Sequence, residues 1–189
     1  QFVEACEVCG QRAPKATTYA PVQPIDTPER PFQVLHIDHK GPLPARKSGD
    51  YKHILVVTCA LTRFTLLIPS KTTTADETIR LLVGRVYSVF GTPLVLISDN
   101  GPAFIADMMK AASRFLGYRH IHILPYNSQA NGIAESSVGR IKKLLDRQTD
   151  GYQLWHHLLP TLQLLLNTTV HTGTGVSPFM ALFGRQPNN

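Results

Sequence analysis

The strongest constraint on the fold is a short apolar run, Leu94-Val95-Leu96-Ile97-Ser98, which lies between Gly91-Thr92-Pro93 and Asn100-Gly101-Pro102. Glycine and proline interrupt regular structure, so this run has the length of a strand rather than that of a helix. An unbroken apolar strand is typical of a sheet that is covered on both faces. The run therefore predicts an α/β protein, and it places Asp99 at the carboxyl end of a buried strand.

Other segments also have the composition and length of strands. They run from Val34 to about Lys40, from His53 to Cys59, from Arg63 to Ile68 and from Arg119 to Leu124. Gly41-Pro42 ends the first segment and Pro125 ends the last, because proline cannot donate to a strand ladder. A tight connection around Leu61-Thr62 joins the second and third segments, which predicts an antiparallel meander at the start of the domain.

Apolar residues at helical spacing separate and follow these strands. Thr74 is a candidate cap for a helix that ends before Gly91, and Gly117 marks the end of a helix from about Met108. Further helices are predicted from Ala130 to Arg147, from Tyr152 to Thr169, and from Ser177 or Pro178 to Gly184. This order predicts a mixed five-stranded sheet flanked by helices.

Three acidic residues stand on these elements: Asp38 on the first strand, Asp99 after the fourth, and Glu135 on the helix that follows the fifth. Each one alone could be a solvated carboxylate, because strand ends often carry polar residues. The common α/β arrangement with acidic residues at these three places is the ribonuclease H-like fold. We therefore expect that fold, with the carboxylates gathered at one site.

The sequence motifs around the carboxylates indicate a protein family more specifically than the positions of the carboxylates do. They are Asp38-His39-Lys40-Gly41-Pro42-Leu43-Pro44, Ser98-Asp99-Asn100-Gly101-Pro102-Ala103-Phe104, Pro125-Tyr126-Asn127-Ser128-Gln129-Ala130-Asn131-Gly132-Ile133-Ala134-Glu135 and Ser177-Pro178-Phe179-Met180-Ala181-Leu182-Phe183-Gly184-Arg185. From about Phe32 to Pro187 the chain resembles the integrases of retroviruses and long-terminal-repeat retrotransposons, in which 35 residues separate the second Asp from the Glu, as here. The motifs that begin at Asp38 and at Ser177 look most like those of the gypsy-type retrotransposon branch.

The resemblance implies a polynucleotidyl transferase that trims the 3′ ends of element DNA and joins them to target DNA. It also implies two Mg²⁺ or Mn²⁺ ions, with Asp38 bridging both while Asp99 and Glu135 each hold one. Phosphodiester attack needs an activated oxygen nucleophile, neutralised charge and a stabilised leaving oxygen, which two ions about 4 Å apart can supply. Such hard cations prefer oxygen ligands, which is why carboxylates suit the site.

Two groups of residues are candidates for contact with DNA. The loop residues Tyr126, Asn127, Gln129 and Asn131 precede the helix of Glu135, and Arg140, Lys142 and Lys143 lie along it. Lys142 is two helical turns beyond Glu135, so it shares that face and can reach a phosphate. The alternatives are an ordinary polar loop with Asn127 or Ser128 as a helix cap, and a solvated basic face.

The formal charge of +6, from 19 Lys and Arg against 13 Asp and Glu, also favours a polyanionic partner. We expect element-end DNA, target DNA and further copies of the chain as partners, and no membrane, since no apolar run of about 18 residues is present. The helix from Tyr152 to Thr169 is apolar around much of its surface, so we expect Trp155 to face another subunit. The resemblance to integrases also implies that the protein acts in the nucleus, which it would reach through the cytoplasm in a nucleoprotein complex.

The cysteines are few and unevenly placed. Cys6 and Cys9 have the spacing of two zinc-binding thiolates and resemble the second half of the His-His-Cys-Cys domain that precedes integrase cores, whose histidines would lie upstream. We therefore divide the chain into residues 1–30, the end of an incomplete zinc module with a Pro-rich linker, and residues 31–189, the core. Cys59 stands where gypsy-type relatives usually have Asp, outside the predicted catalytic set. Because the chain begins at Gln1, we expect a fragment.

Two other functions fit the same residues. A ribonuclease H-type nuclease would share the fold and the metal chemistry, but the spacing between Asp99 and Glu135 and the word around Glu135 favour an integrase. A domesticated, catalytically silent module that binds DNA or protein is the second alternative. The presence of all three carboxylates disfavours that decay without excluding it.

Overall fold

The computed structural model describes residues 27–44, 50–123 and 155–188. The strands in these ranges are β1 (Val34–Lys40), β2 (His53–Cys59), β3 (Thr65–Ser70), β4 (Val95–Ser98) and β5 (Arg119–His122). They form one five-stranded sheet in the order β3-β2-β1-β4-β5. β2 pairs antiparallel with β1 and β3, whereas β4 pairs parallel with β1 and β5. The predicted mixed sheet is therefore confirmed.

The helices lie between and after these strands. They are α1 (Ala75–Leu82), which continues through a π-helical segment (Val83–Tyr87) into α2 (Ser88–Phe90), then α3 (Pro102–Ile105), α4 (Asp107–Leu116), α5 (Trp155–Thr168) and α6 (Pro178–Phe183). The Thr74 hydroxyl accepts the Glu77 N–H and caps α1, as the sequence predicts. Gly117, with φ of 76°, ends α4 in the left-handed conformation.

The two faces of the sheet carry different apolar clusters, because successive residues of a strand point to opposite faces. On one face Leu35, Ile37, Leu55 and Leu96 pack with Leu82 of α1 and Met109 of α4. On the other face Ile54, Val56 and Leu67 pack with Trp155, Leu159, Leu162 and Leu166 of α5. A smaller cluster of Val34, Val95 and Ile97 lies on β1 and β4. Helices thus cover both sides, as the Leu94–Ser98 run predicts.

Some element ends differ from the sequence prediction. β3 begins at Thr65 rather than Arg63, because Arg63 has a φ of 63° and belongs to the turn that leaves β2. β4 begins at Val95 rather than Leu94, whose side chain is exposed. The buried Cys59 accepts the backbone N–H of Phe32 through Sγ at 3.2 Å, so the sulfur fills a structural position at the end of β2.

Trp155 does not face solvent or another subunit, and that expectation is wrong. Its side chain is 2 % exposed, and its indole Nε1–H donates to the carbonyl of Pro44 at 2.9 Å. The side chain packs on β2 and β3 because positions 155, 159, 162 and 166 form the helix face that covers the sheet. The large apolar residues of α5 that are exposed are Leu164, at 58 %, and Leu165, at 46 %.

The remaining sequence predictions on elements fall outside the described residues. These are the helix from Ala130 to Arg147, and the end of the zinc module with most of the linker in residues 1–30. The first three residues of the helix predicted from Tyr152 to Thr169 also lie outside them. Within the described ranges, none of the helices combines the length and the apolar character needed to cross a membrane.

Candidate active site

Asp38 and Asp99 come together because their strands are parallel neighbours. β1 and β4 pair residue for residue, with Leu35 opposite Leu96 and His36 opposite Ile97. Asp38 and Asp99 each stand two residues beyond that last pair. Both carboxylates therefore lie near each other, past the carboxyl end of the paired part of β1 and β4. They are close enough for the charge on Asp99 to raise the pKa of Asp38. Two of the three predicted carboxylates therefore share one site.

Asp38 is the buried member of this pair. Burial raises the pKa of its carboxyl above the ordinary value, and the ammonium of Lys40 opposes that rise. Lys40 Nζ lies 3.0 Å from Asp38 Oδ2, and the Asp38 side chain is only 12 % exposed. A buried carboxylate needs a compensating cation, so this position favours the binding of positive charge.

Asp99 is the exposed member, and its carboxylate is held by the following turn. Its Oδ1 accepts the backbone N–H of Gly101 at 2.9 Å. A Cβ at residue 101 would lie 3.0 Å from that same oxygen and 3.3 Å from Phe104 Cδ2. In the structure the close neighbour of Gly101 is Asp99 itself.

His39 follows Asp38 on β1, so its side chain lies on the opposite face of the sheet. Its Nε2 is 2.9 Å from Thr78 Oγ1 on α1, and its ring stacks on Phe104 of α3 with centroids 5.2 Å apart. Burial and the nearby His53 lower the pKa of His39 to about 4, although Asp99 opposes the shift. The imidazole is therefore neutral at physiological pH and adds no charge that would repel a cation.

Sequence reasoning missed the roles of Lys40, Gly101 and His39. Lys40 and Asp38 are two residues apart on one strand, so the alternation of strand faces could have indicated their pairing. For His39 the sequence carried no such signal, since its partners Thr78 and Phe104 come from α1 and α3. These contacts depend on how the helices pack on the sheet.

The other predicted site residues lie outside the described residues. They are Glu135, the DNA-contact candidates Tyr126, Asn127, Gln129, Asn131, Arg140, Lys142 and Lys143, and the zinc candidates Cys6 and Cys9. Within the described ranges, no group of three or more His, Cys, Asp or Glu side chains is placed to hold a metal ion.

The described donors fit a divalent cation of the hard type. One carboxylate is buried and paired with a cation, the other is open to solvent, and both offer only oxygen ligands. Mg²⁺ commonly binds one or two protein carboxylates and completes its coordination with water and substrate phosphates. Asp38 and Asp99 therefore suit Mg²⁺ or Mn²⁺ better than a soft metal, which prefers thiolate or imidazole.

Known protein sequences that are similar to this chain include a family model and polyproteins of viruses and transposons. Residues 28–128 match the family described as Integrase core domain. The chain is 34 % identical over 184 residues to the Pro-Pol polyprotein of feline foamy virus, and the match covers 97 % of this chain and 16 % of that polyprotein. It is 29 % identical over 182 residues to the Transposon Tf2-3 polyprotein of Schizosaccharomyces pombe, covering 95 % of this chain and 14 % of that protein. The chain thus spans about a sixth of these polyproteins.

Solved structures share the fold. The integrase catalytic core domain of HTLV-2 in complex with magnesium, in its trimeric form, superposes with a TM-score of 0.64 at 22 % identity, over 82 % of this chain and 98 % of that one. A chain of the simian T-cell lymphotropic virus intasome in complex with PP2A regulatory subunit B56 gamma gives 0.72 at 21 % identity, over 100 % of this chain and 66 % of that one. The predicted ribonuclease H-like fold is confirmed.

Proposed function

Because the chain belongs to the integrase core domain family, we propose that it is the catalytic core of a retroelement integrase that trims the 3′ ends of element DNA and joins them to target DNA. The observation that supports this function best is the placement of Asp38 and Asp99 at equivalent positions of two parallel neighbours, Asp38 within β1 and Asp99 directly after β4. The words around Asp38 and after Ser177 further support an element of the gypsy-type branch.

The proposed chemistry uses Asp38, Asp99 and Glu135 as ligands of divalent metal. When bound, two Mg²⁺ or Mn²⁺ ions supply an activated oxygen nucleophile and neutralise charge on the transferring phosphate. Asp38 presents a buried carboxylate, and the Gly101 N–H holds the Asp99 carboxylate in place. The neutral His39, which binds Thr78 of α1, adds no positive charge near the two carboxylates.

The proposed substrates are two DNA molecules, element ends and target. The formal charge of +6 supports a polyanionic partner. Tyr126, Asn127, Gln129 and Asn131 are proposed to meet the terminal nucleotides of the element, and Arg140, Lys142 and Lys143 its phosphates. Such contacts to phosphate position the DNA without reading its sequence.

Assembly, location and domain layout are further parts of the proposal. Joining two element ends to one target requires two active sites, so we propose a homo-oligomer that works in the nucleus. We also propose that Cys6 and Cys9 complete a zinc site only with histidines upstream of residues 1–30. The core, residues 31–189, would then carry the carboxylate chemistry.

A DNA-joining assay tests the function. The purified chain is incubated with a labelled element-end duplex and Mg²⁺ or Mn²⁺, and joined products are separated by size. Asp38→Asn, Asp99→Asn and Glu135→Gln should each reduce joining more than about 100-fold, because an amide keeps the shape but loses the charge that attracts the metal. Asp107→Asn is the matched control, since that carboxylate is 97 % exposed on α4, and it should keep full activity.

The alternatives predict other outcomes of the same assay. Cleavage of an RNA–DNA hybrid without joining would indicate a ribonuclease H-type nuclease. DNA binding that does not depend on metal, with no cleavage or joining by any variant, would indicate a catalytically silent module. Joining that survives Asp99→Asn would contradict the assignment of the carboxylates.

A further inference from the structure

A polar cluster of Ser98, His120 and His122 lies next to Asp99 and is not part of the proposed metal ligands. β4 and β5 pair in parallel, with Leu96 opposite His120 and Ser98 opposite His122. The two histidines are two residues apart on β5, so they share one sheet face with Ser98. Their rings are 4.2 Å apart between centroids, and Ser98 is 1 % exposed. Ser98 is thus buried next to Asp99 at the end of β4, and the two histidines beside it are half-buried.

The hydrogen bonds of this cluster converge on the Ser98 hydroxyl. Ser98 Oγ donates to the backbone carbonyl of Asp99 at 2.9 Å. The same oxygen lies 2.9 Å from His120 Nε2 and 3.3 Å from His122 Nδ1. A hydroxyl has one hydrogen and two lone pairs, so while it donates to Asp99 it accepts from both ring nitrogens. All the bonding capacity of Ser98 is then in use.

In this arrangement each imidazole carries a hydrogen on the nitrogen that faces the Ser98 hydroxyl. His120 donates from Nε2, and its Nδ1 is a buried atom with no partner among the described residues. Burial and the nearby His122 lower the pKa of His120 to about 4, so it stays neutral at physiological pH. The Asp99 carbonyl can only accept, so it takes the Ser98 hydrogen and leaves the Ser98 oxygen to accept from the histidines.

Asp99 is consequently held at both its backbone and its side chain. The Ser98 hydroxyl binds its carbonyl, and the Gly101 N–H binds its carboxylate. Ser98 itself is anchored from β5, because its own carbonyl accepts the Ile123 N–H at 2.8 Å. Asp99 is the first residue beyond β4, where the strand ladder no longer fixes the backbone. These bonds replace the ladder at that point.

We propose that Ser98, His120 and His122 are positioning residues that fix the orientation of Asp99 for divalent metal binding. This inference rests on the proposed function, since it assumes that Asp99 is a metal ligand. Groups that orient a metal ligand change metal affinity without touching the ion, and their removal commonly costs about tenfold or more. A cluster with a packing role alone would affect stability and leave metal affinity unchanged.

The test is a Mn²⁺ titration of the purified chain, with free Mn²⁺ followed by electron paramagnetic resonance. Ser98→Ala removes the bond to the Asp99 carbonyl and should weaken Mn²⁺ binding about tenfold. Ser98→Thr keeps a hydroxyl and should remain within about twofold of the unchanged chain. His120→Leu and His122→Phe each remove one donor to Ser98 and should weaken binding by about threefold to tenfold. His157→Leu, at an exposed histidine of α5, is the matched control and should have no effect.

Thermal unfolding of each variant separates positioning from packing. A variant that melts earlier but binds Mn²⁺ as tightly as the unchanged chain would overturn the inference. If Ser98→Ala does not fold, His122→Phe decides the question by the same comparison. Asp99→Asn is run alongside: if it leaves Mn²⁺ binding unchanged, the proposed function fails, whereas if it alone abolishes binding, only the positioning role fails.

Discussion

Lys40 Nζ lies 3.0 Å from Asp38 Oδ2, two residues away on the same strand. The Asp38 side chain is nearly buried, whereas 40 % of the Lys40 side chain is exposed, so the ammonium can turn towards solvent. A divalent cation that binds Asp38 must therefore share the carboxylate with Lys40 or displace it. The pair sets the electrostatics of the proposed metal site.

The first prediction is that Lys40→Met strengthens Mn²⁺ binding by about threefold to tenfold at low ionic strength. One competing positive charge is removed, and its effect is moderate because Lys40 is partly screened by solvent. The gain should shrink as salt is added, since screening weakens charge effects. A Mn²⁺ titration at two salt concentrations measures both effects. Lys110→Met, which breaks the exposed pair with Asp107, is the control. Unchanged or weaker binding by Lys40→Met would show that Lys40 does not compete.

The second prediction concerns Asp38 and pH. Burial raises the pKa of Asp38 in the folded chain, so its contribution to stability is present below the unfolded value of about 3.9 and is lost as pH rises through the folded value. At pH 7 the ionised carboxylate is therefore destabilising. Asp38→Asn should raise the melting temperature at pH 7 without metal by a few degrees, about 2–4 °C per kcal/mol for a chain of this size.

Melting curves from pH 4 to pH 8 check this prediction. The difference between Asp38→Asn and the unchanged chain should shrink towards pH 4, where both are closer to neutral at this position. Adding Mn²⁺ should stabilise the unchanged chain and not the variant, because only the former binds the ion. A gain in stability that is the same at every pH would indicate a packing effect instead.

The third prediction concerns the edge of the sheet. Asn167 of α5 accepts the Thr65 N–H through Oδ1 and donates to the Thr65 carbonyl through Nδ2, both at 2.8 Å. Asn167→Ala leaves both buried backbone groups of the edge strand without partners, which should cost about 2 kcal/mol. The melting temperature should fall by about 4–8 °C. Thr168→Ala, whose hydroxyl bonds only within its own helix, should change it by less than about 2 °C. Equal losses in the two variants would contradict the edge-capping role.

The sequence was informative about elements whose pattern is local. The Leu94–Ser98 run predicted a strand buried on both faces, and Thr74 predicted the start of α1, because burial and capping depend on nearby residues. The same reasoning placed Asp38 on the first strand and Asp99 directly after the fourth. Their meeting also required the order of the strands, which the alternation of strands and helices restricts to a few arrangements.

Contacts between distant elements were not predictable in this way. The Trp155 indole donates to Pro44, 111 positions away, and that choice of partner depends on how α5 lies on the sheet. The Ser98 cluster depends on the register of β5 against β4, since a shift by one residue would turn both histidines to the other face. The apolar surface of α5 suggested an interface at Trp155, but amphipathic spacing alone cannot show which side of such a helix the sheet covers.

The last prediction concerns assembly and uses this correction. If the chain forms the proposed homo-oligomer through α5, the contact must use residues that reach solvent, and the large apolar ones among them are Leu164 and Leu165. Leu165→Glu should therefore keep the fold and shift the sedimentation of the chain towards monomer across a concentration series, because a charge opposes burial in an interface. Trp155→Glu should instead lower thermal stability severely, by about 3–5 kcal/mol, since it places a charge in the core. Val89→Glu, at an exposed apolar residue on α2, is the matched control for added charge. Equal sedimentation of Leu165→Glu and the unchanged chain, with self-association intact, would show that α5 is not the contact.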